Sequence, residues 1–223
     1  MEIKFNVRVK PIGMMSIGSI YPIFLGPDLP FTKKFFLQNG KKIIKYYIPG
    51  SSFKGALRSS CCRIAESFNF KSCGEIDIER IEEAHRRIGD LCDVCKLFGH
   101  PKSNVSGIIK VSDLESQSNV NVQTIASIRI DDKSGKVAEG ALFTSEKVYN
   151  TEFIGEISLS TNDVDLIGLT LLSIAELRLD RFGRRSIIDI MIEDNGQLES
   201  VIKNTKWMTL LTELRRWLYY EIL

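Results

Sequence analysis

Hydrophobic and polar positions alternate at the beginning of the chain. Ile3, Phe5, Val7 and Val9 are separated by polar or charged residues, and this two-residue period is typical of a strand with one buried face. We therefore predict a first core strand over residues 2–10. Short apolar runs of the same kind predict three further core strands, over residues 107–113, 153–159 and 186–193.

Two helices are predicted between these strands. The first covers residues 52–68, where apolar residues recur at helical spacing after a Gly-Ser-Ser turn whose serine can cap the first turn. The second is leucine-rich and covers residues 162–177, with Thr161 or Asn162 as its cap. The order strand, helix, strand, strand, helix, strand predicts an α+β fold with a ferredoxin-like, RRM-type core.

Three insertions and one extension decorate this core in a single domain of residues 1–223. The insertions cover residues 11–48, 70–105 and 120–150, and an amphipathic helix is predicted at the end, over residues 206–222. Within the second insertion, Ile78, Ile81, His85 and Ile88 repeat on one helical face, which predicts a small lid. The third insertion is predicted to be a long hairpin.

Composition narrows the class of protein. No apolar run approaches the roughly 18–20 residues that span a bilayer, and the chain does not open on a signal peptide pattern. Five cysteines in 223 residues are too few and too unevenly placed for a secreted disulfide scaffold. We therefore expect a soluble, cytoplasmic protein whose cysteines are reduced thiols or metal ligands.

Charge is unevenly distributed along the chain. The net charge is only +2, but residues 1–65 hold 11 Lys or Arg against two acids, Glu2 and Asp28. A basic segment of this kind attracts phosphates, because each cation near a phosphate releases a counterion. Lys33 and Lys34 are candidate RNA contacts on this ground. A solvated basic face is the alternative interpretation.

A turn followed by a helix start gives the sharpest local signal. Residues 48–58 have the sequence IPGSSFKGALR, in which Ser51, Ser52, Lys54 and Arg58 surround the amides of a helix N-terminus. Such a place favours anions, so it is a candidate phosphate cradle. The spacing differs from that of a P-loop. The alternative is an ordinary capped helix with surface cations.

This same stretch resembles the segment shared by RAMP-superfamily backbone subunits of type III CRISPR complexes. Residues 92–99, CDVCKLFG, are similar to the cysteine-bearing stretch that follows it in many of those proteins. The resemblance, strongest to the Csm-type repeated subunit, implies a lid and a thumb hairpin inserted into the guide and target duplex. It also implies crRNA, target RNA and other CRISPR effector subunits as partners, with self-association along the guide.

One loop departs from the family pattern. Family members carry a glycine-rich loop in the C-terminal third, but here residues 178–185 are RLDRFGRR and keep only Gly183. Arg181, Arg184 and Arg185 preserve a phosphate-binding role, because a guanidinium can hold a phosphate in bidentate fashion. The alternative is a basic turn before an edge strand. The core strands lack the aromatic strings of a standard RRM, so base stacking on the sheet is not expected.

A structural zinc site is predicted from the cysteines. Cys92 and Cys95 form a Cys-x-x-Cys pair, and Cys73 offers a third thiolate. His85 or His100 completes the set, and we favour His85 because it lies on the apolar face of the predicted lid helix. Buried cysteines and a core histidine without metal are the alternative.

Asp28 is the candidate catalytic residue. In the family, an aspartate between the first strand and the Pro-Gly-Ser segment cuts target RNA, and Asp28 matches it by position and by its proline-rich context. The resemblance implies attack of a 2′-hydroxyl on the phosphate, with a divalent ion such as Mg²⁺. Two alternatives remain: a purely structural RNA-binding subunit, or a guide-processing endoribonuclease, which commonly needs a histidine base.

Overall fold

The computed structural model describes residues 2–19, 26–38, 40–75, 77–100, 106–117, 120–138 and 140–219. Its architecture is mixed α+β, as the sequence predicts. The strands are β1 Glu2–Ile12, β2 Lys33–Gln38, β3 Lys41–Ile48, β4 Ile109–Val111, β5 Leu114–Ser116, β6 Asn121–Ser127, β7 Phe143–Tyr149, β8 Phe153–Ser160, β9 Arg181–Phe182 and β10 Ser186–Glu193. The helices are α1 Gly50–Ile64, α2 Ile78–Ile88, α3 Asp93–Phe98, α4 Val164–Leu179, α5 Gln197–Ile202 and α6 Trp207–Leu214.

One antiparallel sheet organises the fold. Its strands follow the order β2-β3-β5-β8-β1-β10-β9, and β4 also pairs with β8. Residues of β1 alternate between buried and exposed as the sequence period predicts, with Ile3, Val7 and Val9 fully buried. The helices α1 and α4 pack against each other, and α4 also contacts β10. The core therefore lies between these helices and one face of the sheet. No helix in the described part of the chain is long and apolar enough to span a membrane.

The beginning of α1 differs from the prediction. We expected a serine cap, but the helix begins at Gly50, and the residue before it, Pro49, makes no side-chain cap. Instead the Gly50 amide donates to the Asp113 carboxylate at 2.8 Å. A side chain at position 50 would collide with the carbonyl oxygens of Val111 and Ser112, at 2.5 and 2.7 Å from its Cβ. Glycine is thus required by close backbone packing.

The C-terminal helix is shorter than predicted. We expected one helix over residues 206–222, but α6 ends at Leu214, and residues 220–222 lie outside the described part of the chain. Beyond α6, two hydrogen bonds attach the chain to the buried ion pair between Arg178 and Asp189. Arg178 donates to the Arg216 carbonyl at 2.8 Å, and the Tyr219 amide donates to Asp189 at 2.9 Å.

Two hairpins project from the main sheet. The thumb hairpin (residues 121–149) pairs β6 with β7 in a separate two-stranded sheet, in the place where a long hairpin was predicted. The basic hairpin (residues 33–48) pairs β2 with β3. It lies within the insertion of residues 11–48, in which we predicted only a strand end at Ile48.

Candidate nucleic-acid interface and metal centre

The basic N-terminal third is largely neutralised in the fold. Lys33 pairs with Glu146 at 3.3 Å, and Lys34 pairs with Asp113 at 2.7 Å. The other pairs of this kind join Lys4 to Glu156, Arg8 to Glu152 and Glu193, Lys34 and Lys45 to Glu115, and Arg63 to Glu176 and Asp180. The excess of positive charge in this segment therefore does not become an equally basic surface, because acids from the rest of the chain fold against it.

The predicted phosphate cradle holds a carboxylate of the chain itself. Asp113 accepts from the Gly50 amide and pairs with Lys34. Although burial raises the pKa of Asp113, the Gly50 amide and Lys34 outweigh it and hold that pKa below its ordinary value. Ser51 and Ser52 lie exposed in the first turn of α1. An external phosphate at the Gly50 amide would have to displace Asp113.

Lys54 and Arg58 are also engaged within the chain. The Lys54 ammonium donates to the Ile109 carbonyl at 2.9 Å, and burial, followed by the nearby Arg58, lowers its pKa. Arg58 donates to the Gly99 carbonyl at 3.1 Å and to the Cys95 sulfur at 3.4 Å. Both side chains connect α1 to neighbouring elements, and neither lines the groove described next.

A groove of about 380 Å³ runs between α1 and the arginine loop (residues 181–185). Its polar lining includes Ser16, Ser52, Ser59, Asp180, Arg181 and Arg184. Arg181, Arg184 and Arg185 are exposed. In the described part of the chain, neither Arg181 nor Arg185 forms an ion pair. Of the predicted RNA contacts, the structure thus brings Ser52 together with Arg181 and Arg184.

The arginine loop has a fixed shape. Phe182 is buried and packs edge-on against Phe53 of α1, with ring centroids 5.9 Å apart. Gly183 has φ +59°, and a Cβ there would lie 2.6 Å from the Ser16 carbonyl oxygen. This is the one position of the loop where only glycine fits. Arg185 has φ +63°. The turn thereby holds its arginines outward from an anchored phenylalanine.

The groove continues onto the thumb hairpin. A second cavity of about 570 Å³ shares Ser16, Gly183 and Arg184 with the first and adds Phe143, Ser145, Lys147 and Arg185. The Arg184 guanidinium lies 5.5 Å from the centre of the Phe143 ring. One track of basic and hydroxyl groups therefore runs from α1, across the arginine loop, to β7.

Asp28 lies against the thumb hairpin. Its Oδ2 accepts from the Thr144 amide and from the Thr144 hydroxyl, both at 2.7 Å. These two donors, the amide first, lower the pKa of Asp28. The carboxylate is therefore ionised across the neutral pH range. Its Oδ1 makes no hydrogen bond to the described residues.

The segment that carries Asp28 is bound along β7. The Leu29 amide donates to the Thr144 carbonyl at 3.0 Å, and the Glu146 amide donates to the Leu29 carbonyl at 2.9 Å. The Glu146 side chain accepts from the Phe31 amide at 2.8 Å. Alternate residues of a strand face opposite sides, so Thr144 and Glu146 point away from the groove that Phe143, Ser145 and Lys147 line. Asp28 consequently lies at the edge of β7, on the side to which Thr144 points.

Thr144 and Glu146 are site residues that sequence reasoning missed. They position the Asp28 segment from more than a hundred residues downstream. No local pattern connects the two segments. The one available signal was Glu146 itself, an acid in the middle of an alternating strand. Its importance is visible only in the structure, where its side chain is buried.

Four predicted metal ligands come together. The ligand atoms of Cys73, His85, Cys92 and Cys95 all lie within 4.8 Å of one another. The Cys73 and Cys95 sulfurs are 3.8 Å apart, and His85 Nε2 is 3.3 Å from the Cys92 sulfur. Tetrahedral zinc with Zn–S bonds of about 2.3 Å separates two sulfurs by roughly 3.8 Å. The residues therefore fit zinc, and His85 rather than His100 belongs to this cluster.

Electrostatics at the cluster favour a thiolate. Hydrogen bonds from Cys95 and His85 lower the pKa of Cys92 to about 4, whereas Cys92 and burial raise the pKa of Cys95. Burial raises the pKa of Cys73 as well. Cys92 is also the N-cap residue of α3, and its sulfur accepts a hydrogen bond from the Cys95 amide. A metal ion would stabilise the remaining thiolates and connect α2, α3 and residue 73.

Comparison with known proteins places the chain in a family. No curated protein matches it. A family model, that of the RAMP superfamily, matches residues 21–187, which include the basic hairpin, α1, the metal cluster, the thumb hairpin and the arginine loop. Since this match covers well over half of the residues, the chain belongs to the RAMP superfamily, a group of CRISPR-associated RNA-binding proteins.

Proposed function

We propose that the chain is a crRNA-binding backbone subunit of a type III CRISPR effector complex. The groove between α1 and the arginine loop supports this proposal, because it offers cations and hydroxyls without a matching set of acids. Arg181 and Arg185 give the proposal its strongest support, since neither forms an ion pair in the described part of the chain. Guanidinium groups held outward by a rigid turn are suited to bidentate phosphate contacts.

The central strands support a ferredoxin-like core in this proposal. Across the sheet they run β10, β1, β8 and β4, all antiparallel, and α1 follows the first strand while α4 follows the third. The buried face packs on helices, and aromatic rings for stacking are not among the surface residues of β1 and β8. RNA is therefore gripped by its phosphates in the groove rather than by bases on the sheet.

Zinc in the Cys73, His85, Cys92 and Cys95 cluster has a structural role in this proposal. These four residues would fill all four positions of a tetrahedral ion, which would leave no place for a reactive water. Arg58 donates to the Cys95 sulfur and so joins α1 to the cluster. The site would hold the lid, α2 and α3, beside the helix that lines the groove.

Target-RNA cleavage by Asp28 is the catalytic part of the proposal. A 2′-hydroxyl attacks the adjacent phosphorus, the bond to the 5′-oxygen breaks, and the products are a 2′,3′-cyclic phosphate and a 5′-hydroxyl. The Oδ1 of Asp28, which makes no hydrogen bond to the described residues, is available to orient that hydroxyl or to bind a divalent ion such as Mg²⁺. Because Asp28 lies at the edge of β7 on the Thr144 side, whereas the groove is on the Phe143 side, the strand that is cut would differ from the strand in the groove.

A purely structural RNA-binding subunit is the second candidate function. The observation in its favour is the double contact of Asp28 with Thr144, which by itself explains why an acid is present in this basic segment. In this alternative the carboxylate only attaches the segment to β7. A guide-processing nuclease has less support, because His85 belongs to the metal cluster.

The assembled complex separates the two functions. Asp28→Asn keeps the side-chain shape, so we expect unchanged binding of guide and target and a fall in target cleavage of at least about a hundredfold. The complex is reconstituted with this variant as its backbone subunit, and products are resolved on a gel. Asp131→Asn, at an exposed aspartate on the thumb hairpin, is the control. Full cleavage by Asp28→Asn would leave the structural function.

A further inference from the structure

The basic hairpin exposes a set of large apolar side chains. Phe35 is 54% exposed, Leu37 82% and Ile44 46%. The main sheet does not cover them, because β3 pairs with β5 only at Tyr47 and Ile48. The outer half of the hairpin therefore projects from the sheet with aromatic and aliphatic groups in solvent, an arrangement that typically indicates a binding surface.

These side chains share one face with lysines. The strand register places Lys33 opposite Tyr46, Phe35 opposite Ile44, and Leu37 opposite Lys42. Directly opposed residues of an antiparallel pair lie on the same face. The Lys42 ammonium lies 4.2 Å from the centre of the Phe35 ring. The Phe35 face is thus an exposed apolar surface with the Lys42 ammonium over its aromatic ring.

The charge of the hairpin selects the kind of partner. Residues 33–46 contain five lysines and no acid. At the root, Lys33 and Lys34 are neutralised by Glu146 and Asp113, but towards the tip Lys41 and Lys42 form no ion pair in the described part of the chain. The centres of protein interfaces are depleted of lysine. An exposed ring beside unpaired lysines instead complements single-stranded nucleic acid, whose bases stack and whose phosphates are anionic.

The root of the hairpin also faces the Asp28 side of the thumb hairpin. Lys33 contacts Glu146, which lies on the same face of β7 as Thr144, the residue that holds Asp28. An RNA strand passing Asp28 can therefore continue along the hairpin.

We propose that the Phe35 face of the basic hairpin is a stacking platform for unpaired bases of single-stranded RNA. The proposal rests on the RNA-binding function proposed above and adds a second contact region to it. Phe35 would stack on a base, and Lys42 would leave the ring to contact a neighbouring phosphate. Stacking is tolerant of sequence, so we expect no strong base preference.

Fluorescence anisotropy with labelled 20-nucleotide RNA tests this platform. Phe35→Ala should weaken binding of oligo(A) by about 5- to 150-fold, which corresponds to the loss of one stacked base. With an oligomer of the same length that is abasic throughout, the variant and the original protein should bind equally. Phe68→Ala is the matched control, since Phe68 is 43% exposed at the other end of α1.

Three outcomes are informative. If the original protein binds no RNA, the proposed function fails. If it binds RNA and Phe35→Ala binds equally well, only the platform is overturned. If Phe35→Ala leaves affinity unchanged but converts an oligomer to a monomer in light scattering, the face is a contact between copies of the chain, which also overturns the platform.

Discussion

At the scale of single residues, the Asp28 carboxylate depends on Thr144. Thr144→Val removes the hydroxyl donor but keeps the backbone amide, so the pKa of Asp28 should rise part of the way to its ordinary value. A group whose pKa is lowered by folding acts as an anion above that pKa and loses this role as the pH falls through it. The acid limb of any Asp28-dependent cleavage should therefore move to higher pH in the variant.

Carboxyl NMR titration measures this shift directly. The Asp28 signal should titrate at a higher pH in Thr144→Val than in the original protein, while the Asp131 signal should not move. An identical Asp28 titration in both proteins would show that the hydroxyl contributes nothing to the carboxylate.

The sequence predicted which residues form the site better than it predicted the groups to which those residues hydrogen-bond. The sequence predicted the metal ligands Cys73, His85, Cys92 and Cys95 together, because the spacing of cysteine and histidine residues already indicates a metal site. For Lys54 and Arg58 the sequence indicated cations beside helix amides, but it could not show that the carbonyls of Ile109 and Gly99 accept from them. Such contacts depend on tertiary packing, which has no local signature.

At the scale of elements, the metal cluster should hold the lid. Replacing Cys92 and Cys95 by serine should abolish about one zinc per chain, because serine hydroxyls do not replace thiolates at a tetrahedral site. Elemental analysis measures the metal, and hydrogen exchange should speed up over α2 and α3. Cys62→Ser is the control, since Cys62 is not part of the cluster. Freshly purified protein without zinc would contradict this account.

The buried ion pair should hold the C-terminal segment. Arg178 and Asp189 have side chains 5% and 0% exposed, so Asp189→Asn leaves a buried guanidinium without its counter-charge. We expect the free energy of unfolding to fall by about 3–5 kcal/mol. The control is Glu83→Gln, which removes the exposed Arg87 pair and should cost under about 1 kcal/mol. Equal losses in urea denaturation would refute the role of burial.

Periodicity explains which elements could be predicted. The first core strand has one buried face, and α2 buries Ile81 and half-buries His85, so their sequences repeat with periods of two and of three to four residues. The basic hairpin was missed because both of its faces are exposed, and its lysines and apolar residues occur in doublets rather than in alternation. The Asn-Gly dipeptide at positions 39–40 of the sequence was the available signal for it.

At the scale of the whole molecule, folding redistributes charge. The sequence predicted a basic N-terminal third, yet Glu115, Glu146, Glu176 and other acids from later segments pair with much of it. In the described part of the chain, the cations left without ion pairs include Arg181 and Arg185, in a loop whose family resemblance was weakest. Segment charge could therefore predict an RNA-binding protein, but the position of its binding surface required the fold.

The salt dependence of RNA binding tests the position of the RNA-binding surface most directly. Log affinity for a single-stranded RNA falls linearly with log salt concentration, with a slope of about 0.7 for each phosphate neutralised. Arg181→Ala with Arg185→Ala should weaken binding and reduce the slope by about 1.4. Arg86→Ala with Arg87→Ala, at exposed arginines of α2, should leave it unchanged. An unchanged slope in the Arg181 and Arg185 variant would contradict the groove as the place where the protein grips RNA.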